Sequence, residues 1–112
     1  MRVITGLARG RKLRTLDGND VRPTTDLVKE SIFSIIQFDI DGRSVLDLFS
    51  GCGQLGIEAV SRGAKEAVFV DKSKQSATVT LENIKSVGFE DKCKVFKDKD
   101  VVEKVLKEIG WM

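Results

Sequence analysis

The hydrophobic period of the chain changes several times after residue 23, and each change marks an element. Behind Pro23, the residues Val28, Ile32, Ile35 and Ile36 recur at helical spacing, with Thr24, Thr25 or Asp26 placed to cap the first turn. A polar break at 39–42 leads into SVLDLF, a short apolar run of the kind buried on both faces of a parallel sheet. Residues 54–62 then read as a helix stopped by Gly63, and AVFVD as a second strand. Ser73 caps a helix with Ala77, Leu81, Ile84 and Val87 on one face, ended by Gly88. Residues 93–96 make a third strand, and Val101, Val102, Val105, Leu106 and Ile109 begin a further helix. The alternation of strand and helix is half of a doubly wound α/β sheet, strands 1–3 only.

The first fifteen residues behave differently. RVITGLARGRKLRTL alternates, is broken by Gly6 and Gly10, and reads as a hairpin too polar to be core. Two regions are therefore expected, a basic hairpin over 1–22 and a partial cofactor-binding domain over 23–112. In the strand order 3-2-1-4-5 the first strand is central, yet nothing here reads as a fourth. VLDLF should then have an apolar edge able to pair with another chain, and we expect a truncated domain prone to self-association.

Charge adds a direction to this picture. Residues 1–22 carry Arg2, Arg9, Arg11, Lys12, Arg14 and Arg22 against Asp17 and Asp20, a net +4, whereas the whole chain is +2 and the other ninety residues therefore −2. Five of the seven arginines lie in that segment, and the planar fork of arginine suits phosphate, so nucleic acid is the partner indicated; an idle basic surface stays open. With no histidine and two distant cysteines, Cys52 and Cys93, neither a zinc site nor a Cys–His nucleophile pair is available, and the usual general base at neutral pH is missing. No apolar run approaches the ~20 residues of a membrane span, and the N-terminus lacks the apolar core of a signal peptide, so a cytoplasmic location without membrane contact is expected.

The chemistry concentrates in DLFSGCGQLG, residues 47–56. Its G-x-G-x-x-G turn lets a backbone approach a ligand closely, and Asp71 at the end of the next strand stands where an acid grips ribose hydroxyls; both suit NAD as well as other adenosine ligands. Asp47 separates them. A pyrophosphate ~5 Å from its carboxylate would meet roughly 3 kcal/mol of repulsion per charge pair at an effective dielectric near 20. The sulfonium and ammonium of S-adenosylmethionine would be attracted by a similar amount. Asp47 as a mere loop cap, and Asp71 as a helix-start residue beside Lys72, stay open at this point. Asp98 and Asp100, after the third strand, are candidates for the adenine amino group, although the run KDKD also reads as a solvated turn.

The pieces RVITGLARGRKL, RPTTDLVKESIF, VLDLFSGCGQLGIEAVSRGA and VFVDKS, in this order, resemble the N-terminal half of the RsmD-type 16S rRNA (guanine-N2)-methyltransferases. The resemblance implies a Rossmann-like fold, S-adenosylmethionine as cofactor, and methyl transfer to the exocyclic amine of a guanine in small-subunit rRNA. It puts Asp47, Gly51 and Gly53 around the methionine part, with Phe49 and Asp98 among the cofactor-binding residues and Asp71 on the ribose. It turns the hairpin toward rRNA or the small ribosomal subunit, through Arg9, Arg11, Lys12 and Arg14, while Arg22 and Thr24 or Thr25 open the segment beside the pocket. The family's Asp/Asn-Pro-Pro-Tyr/Phe motif, which orients the target base, is absent: the chain has one proline and no tyrosine. No catalytic residue is therefore expected in these 112 residues, and little turnover. An RNA-binding module with a vestigial pocket and an NAD-binding domain are the rival readings.

Overall fold

The computed structural model describes residues 2–15, 26–48, 51–71 and 73–96, with 104, 107, 108 and 110. Helix α1 (Asp26–Ile36) precedes strand β1 (Ser44–Leu48); α2 (Gln54–Ser61), β2 (Glu66–Val70), α3 (Lys74–Val87) and β3 (Cys93–Phe96) follow. The strands are parallel in the order β1-β2-β3, with Asp47 opposite Phe69 and Phe69 opposite Val95. Parallel neighbours need crossover connections, which α2 and α3 supply. The expected α/β class is thus observed, and among the described residues β1 pairs on one side only. Of the helix expected after residue 100, Lys104, Lys107 and Glu108 are described and helical, while its apolar positions, like the caps Thr24 and Thr25, lie outside the described residues.

Local signals explain the boundaries. Ser73 Oγ accepts from the Ser76 amide at 3.3 Å, and Gly88 closes α3 in the left-handed conformation at φ 79°. α2 lies so close on the sheet that a Cβ at Gly56 would come within 2.3 Å of the Phe69 ring. That contact is why the third glycine of the turn is a glycine. Ile57, Val60 and Phe69, all fully buried, centre the core, with Ala67 and Ile84 beside them.

Two expectations are corrected. The hairpin is part of the core: Val3, Ala8 and Leu13 are buried in the same cluster as Phe33 and Ile57. Its polar backbone does not prevent this because α2 satisfies it; Glu58 accepts from the Ile4 and Thr5 amides at 2.8 and 3.1 Å, and Ser61 Oγ from Ala8 at 2.9 Å. Of the apolar stripe of α1, only Ile36 packs against the core. Val28, Ile32 and Ile35 are exposed, Ile35 by 81%, while Lys29 and Phe33 turn inward. Lys29 can be buried because its ammonium lies 3.4 Å from Glu58 and bonds the Arg2 carbonyl at 3.2 Å. On α3, Leu81 is likewise half exposed, and Thr80 and Asn83 share the buried face with Ala77 and Ile84.

Candidate cofactor and RNA site

The turn between β1 and α2 is held from both sides. Gly51 and Gly53 have φ of 59° and 83°, a region that glycine enters without steric cost. The Gly51 amide donates to Asp71 Oδ2 at 3.0 Å, and Thr80 Oγ1 donates to the Gly51 carbonyl at 3.0 Å. Asn83 Nδ2 donates to the Cys52 carbonyl at 2.8 Å. A Cβ at Gly53 would press on Thr80 Cγ2 at 2.8 Å, whereas one at Gly51 would meet nothing within 4 Å. Gly53 is thus required by packing inside the protein, and Gly51 turns its free side outward.

Both acids reach this turn. Asp47, 9% exposed, accepts from the Gly56 amide through Oδ2 at 3.3 Å, so it does cap the first turn of α2. That bond does not settle its charge. Its pKa is raised to about 6, chiefly by burial, with the Gly56 bond pulling it down and the nearby Asp71 carboxylate pushing it up. Asp71 receives Gly51 on one oxygen and the Ser73 amide on the other, at 3.0 Å each. Each carboxylate oxygen accepts about two hydrogen bonds, so lone pairs remain for ribose hydroxyls. Two carboxylates thus flank the turn, and neither makes an ion pair among the described residues, an arrangement that attracts positive charge. Phe49 and Asp98 lie outside the described residues.

The basic hairpin divides into two kinds of cation. The Arg11 guanidinium donates to the Ser86 carbonyl at 2.6 Å and Arg14 pairs with Glu82, so both clasp α3. Arg9 and Lys12 are exposed, with no side-chain bond found among the described residues. The strands of the hairpin meet at the Arg2–Lys12 bridge. Arg22 lies outside the described residues. Neither thiol is poised for chemistry: burial raises both, Cys93 to about 12. No cluster of metal-ligating residues and no helix long and apolar enough to cross a membrane occurs among the described residues.

Sequence reasoning missed the polar hub at the far side of α2. Glu58, fully buried, collects the Ile4 and Thr5 amides, Lys29, and Arg62 Nε at 2.9 Å; Arg62 in turn stacks 4.6 Å over the Phe33 ring. The Glu58–Arg62 spacing of four is a visible helical pair. Lys29 as its partner has no local signal. Asn83 and Thr80 were missed for the same reason.

Parallel strands, a glycine turn and an acid after the second strand form a Rossmann-like frame, and the solved structures it superposes on place it in the Rossmann-like fold of the S-adenosylmethionine-dependent methyltransferases. Within it, the chain belongs to the family described as Conserved hypothetical protein 95, whose model matches residues 1–109, in agreement with the RsmD-type resemblance. It is 44% identical over 98 residues to YlbH of Bacillus subtilis (strain 168), covering 88% of this chain and 53% of the relative. It is 41% identical over 87 residues to the ribosomal RNA small subunit methyltransferase D of Haemophilus influenzae, covering 78% of this chain and 45% of the relative. A solved hypothetical protein of Thermus thermophilus superposes with TM-score 0.81 at 29% identity, over 98% of this chain and 63% of that one. The chain spans about half the length of the curated relatives it matches.

Proposed function

We propose that this chain is the cofactor-binding half of an S-adenosylmethionine-dependent methyltransferase that modifies the exocyclic amine of a guanine in small-subunit rRNA. The observation that carries the reading is the pair of carboxylates, Asp47 and Asp71, around a glycine turn whose Gly51 faces outward. S-adenosylmethionine, when bound, supplies the electrophilic methyl group. The residues of the chain fit it: Asp47 attracts the ammonium and sulfonium, Gly51 and Gly53 let the backbone approach, and Asp71 receives the ribose; Phe49 and Asp98 are the further cofactor-binding residues the resemblance implies. Arg9, Lys12 and Arg22 contact RNA phosphates, with Arg11 and Arg14 fixing the hairpin and adding charge. In this reading the two roles divide between the RNA-facing segment 1–22 and the cofactor-binding part 23–112, which share one core.

Residues that orient the target amine are not in this half, so turnover is expected to be small. The strand β1, paired on one side only among the described residues, and the exposed apolar side of α1 favour association with a second polypeptide or a second copy. Titration calorimetry with S-adenosylhomocysteine and NADH tests the cofactor reading. Heat from S-adenosylhomocysteine alone is the expected result; binding of NADH alone overturns it. RNA binding with neither nucleotide favours the RNA module instead.

A further inference from the structure

Asn83 sits on α3, 2% exposed, and spends its whole amide on two distant backbone segments. Its Oδ1 accepts from the Arg14 amide at 2.7 Å; its Nδ2 donates to the Arg14 carbonyl and to the Cys52 carbonyl, each at 2.8 Å. The orientation is forced, because two carbonyls call for donors and one amide for an acceptor. Neither segment is held there by accident of packing alone. Thr80, one turn earlier, grips only the adjacent Gly51 carbonyl, and Glu82, beside Asn83, takes the Arg14 guanidinium.

We propose that Asn83 is a positioning residue that couples the glycine turn to the basic hairpin, so that filling the cofactor site raises the affinity of the hairpin for RNA phosphates, and the reverse. A shift of the Cys52 carbonyl pulls the Asn83 amide, and the same amide fixes both backbone groups of Arg14. Coupling of this kind is reciprocal by linkage. Aspartate at this position would turn an oxygen toward a carbonyl, and alanine would withdraw a hydrogen-bond partner from three backbone groups.

The proposal rests on the glycine turn being the cofactor site, and two measurements keep the two apart. In the first, a fluorescent RNA hairpin is titrated into the full chain with and without saturating S-adenosylhomocysteine. The expected tightening is about fivefold or more. Asn83→Ala and Asn83→Ser should bring the factor to one, while Thr80→Val, which removes the Gly51 bond and leaves the bridge, should keep it. In the second, no ligand is added. Hydrogen exchange is followed at the Val3 amide, which bonds the Arg11 carbonyl at 2.9 Å and not Asn83. Gly51→Ala should speed that exchange where Asn83 is present and add nothing in the Asn83→Ala background. Additive effects in this cycle, or a coupling factor of one in a parent chain that does bind S-adenosylhomocysteine, overturn the proposal. Failure of S-adenosylhomocysteine to bind alongside a non-additive cycle rejects the cofactor reading and retains the bridge.

Discussion

Helix α2 has a buried carboxylate near each end, and the two are treated in opposite ways. Glu58 is surrounded by donors: two backbone amides, Lys29 and Arg62 all point at it, so the cost of burying its charge is offset within the protein. Asp47 has one 3.3 Å bond from Gly56 and another carboxylate nearby, and its pKa rises to about 6. A compensated charge holds a structure together. An under-compensated one attracts a cation from outside, and the contrast marks Asp47, not Glu58, as the candidate site acid without reference to any relative.

The contrast is broken most severely at Glu58. Glu58→Ala leaves Lys29 buried without its partner and frees two hairpin amides, and removing one member of a buried pair costs about 3–5 kcal/mol. That is a large part of the stability of a small domain, so the urea midpoint should drop sharply or the cooperative transition should vanish. Asp47→Asn should do the reverse. The amide keeps an acceptor for Gly56 and removes a charge the fold holds at a cost, so the unfolding midpoint at neutral pH stays or rises. S-adenosylhomocysteine affinity, in contrast, should fall by up to roughly a hundredfold, the equivalent of about 3 kcal/mol of diminished attraction. Calorimetry and a melt on the same sample read both.

The acid proposed for the site was legible in the sequence and the structural acid was not, for a physical reason. Asp47 and Asp71 stand at fixed distances from a glycine turn, and a strand–turn–helix unit is local enough to place them. Gly51 and Gly53 announce their own backbone conformation. Glu58 acquires its role from Lys29, which is far away along the chain and reaches it only when α1 folds back. The apolar residues of α1 occupy more than one face, Leu27, Val28, Ile32 and Ile35 as well as Phe33 and Ile36, so spacing revealed a helix without telling which face turns inward. A lysine on the inward face is the decisive clue, and it becomes one only beside its partner. The hairpin looked too polar for the core because its satisfying groups, Glu58 and Ser61, also come from elsewhere.

Proton linkage sharpens the contrast in solution. The folded-state pKa of Asp47, about 6, lies above the ordinary aspartate value of 3.8, so the folded chain binds this proton more tightly than the unfolded one. Its contribution to stability is therefore fully present below about pH 3.8 and lost as pH rises through 6, by on the order of 3 kcal/mol. Asp47→Asn should remove this component, seen as the difference between the two urea-stability profiles. Affinity for a cationic ligand runs the other way. It should decline below about pH 6, by at most tenfold per pH unit, and the decline should be absent in Asp47→Asn.

The same distinction between engaged and disengaged charge extends to the hairpin, where the effects are smallest. Arg11 and Arg14 are tied to α3, whereas Arg9 and Lys12 face solvent. Replacing Arg9 and Lys12 together by glutamine should change the unfolding free energy by no more than about 0.5 kcal/mol, since surface substitutions away from packing or bonding partners rarely do more. RNA affinity should nevertheless fall, and the slope of log affinity against log salt should flatten by about 0.7–0.9 for each phosphate no longer neutralised. Arg11→Gln should combine a similar flattening with a measurable drop in stability, because its bond to the Ser86 carbonyl closes the hairpin onto α3. An unchanged salt slope in the Arg9, Lys12 double variant would mean that these cations do not face the RNA, and that the phosphates are met by the arginines already engaged with α3.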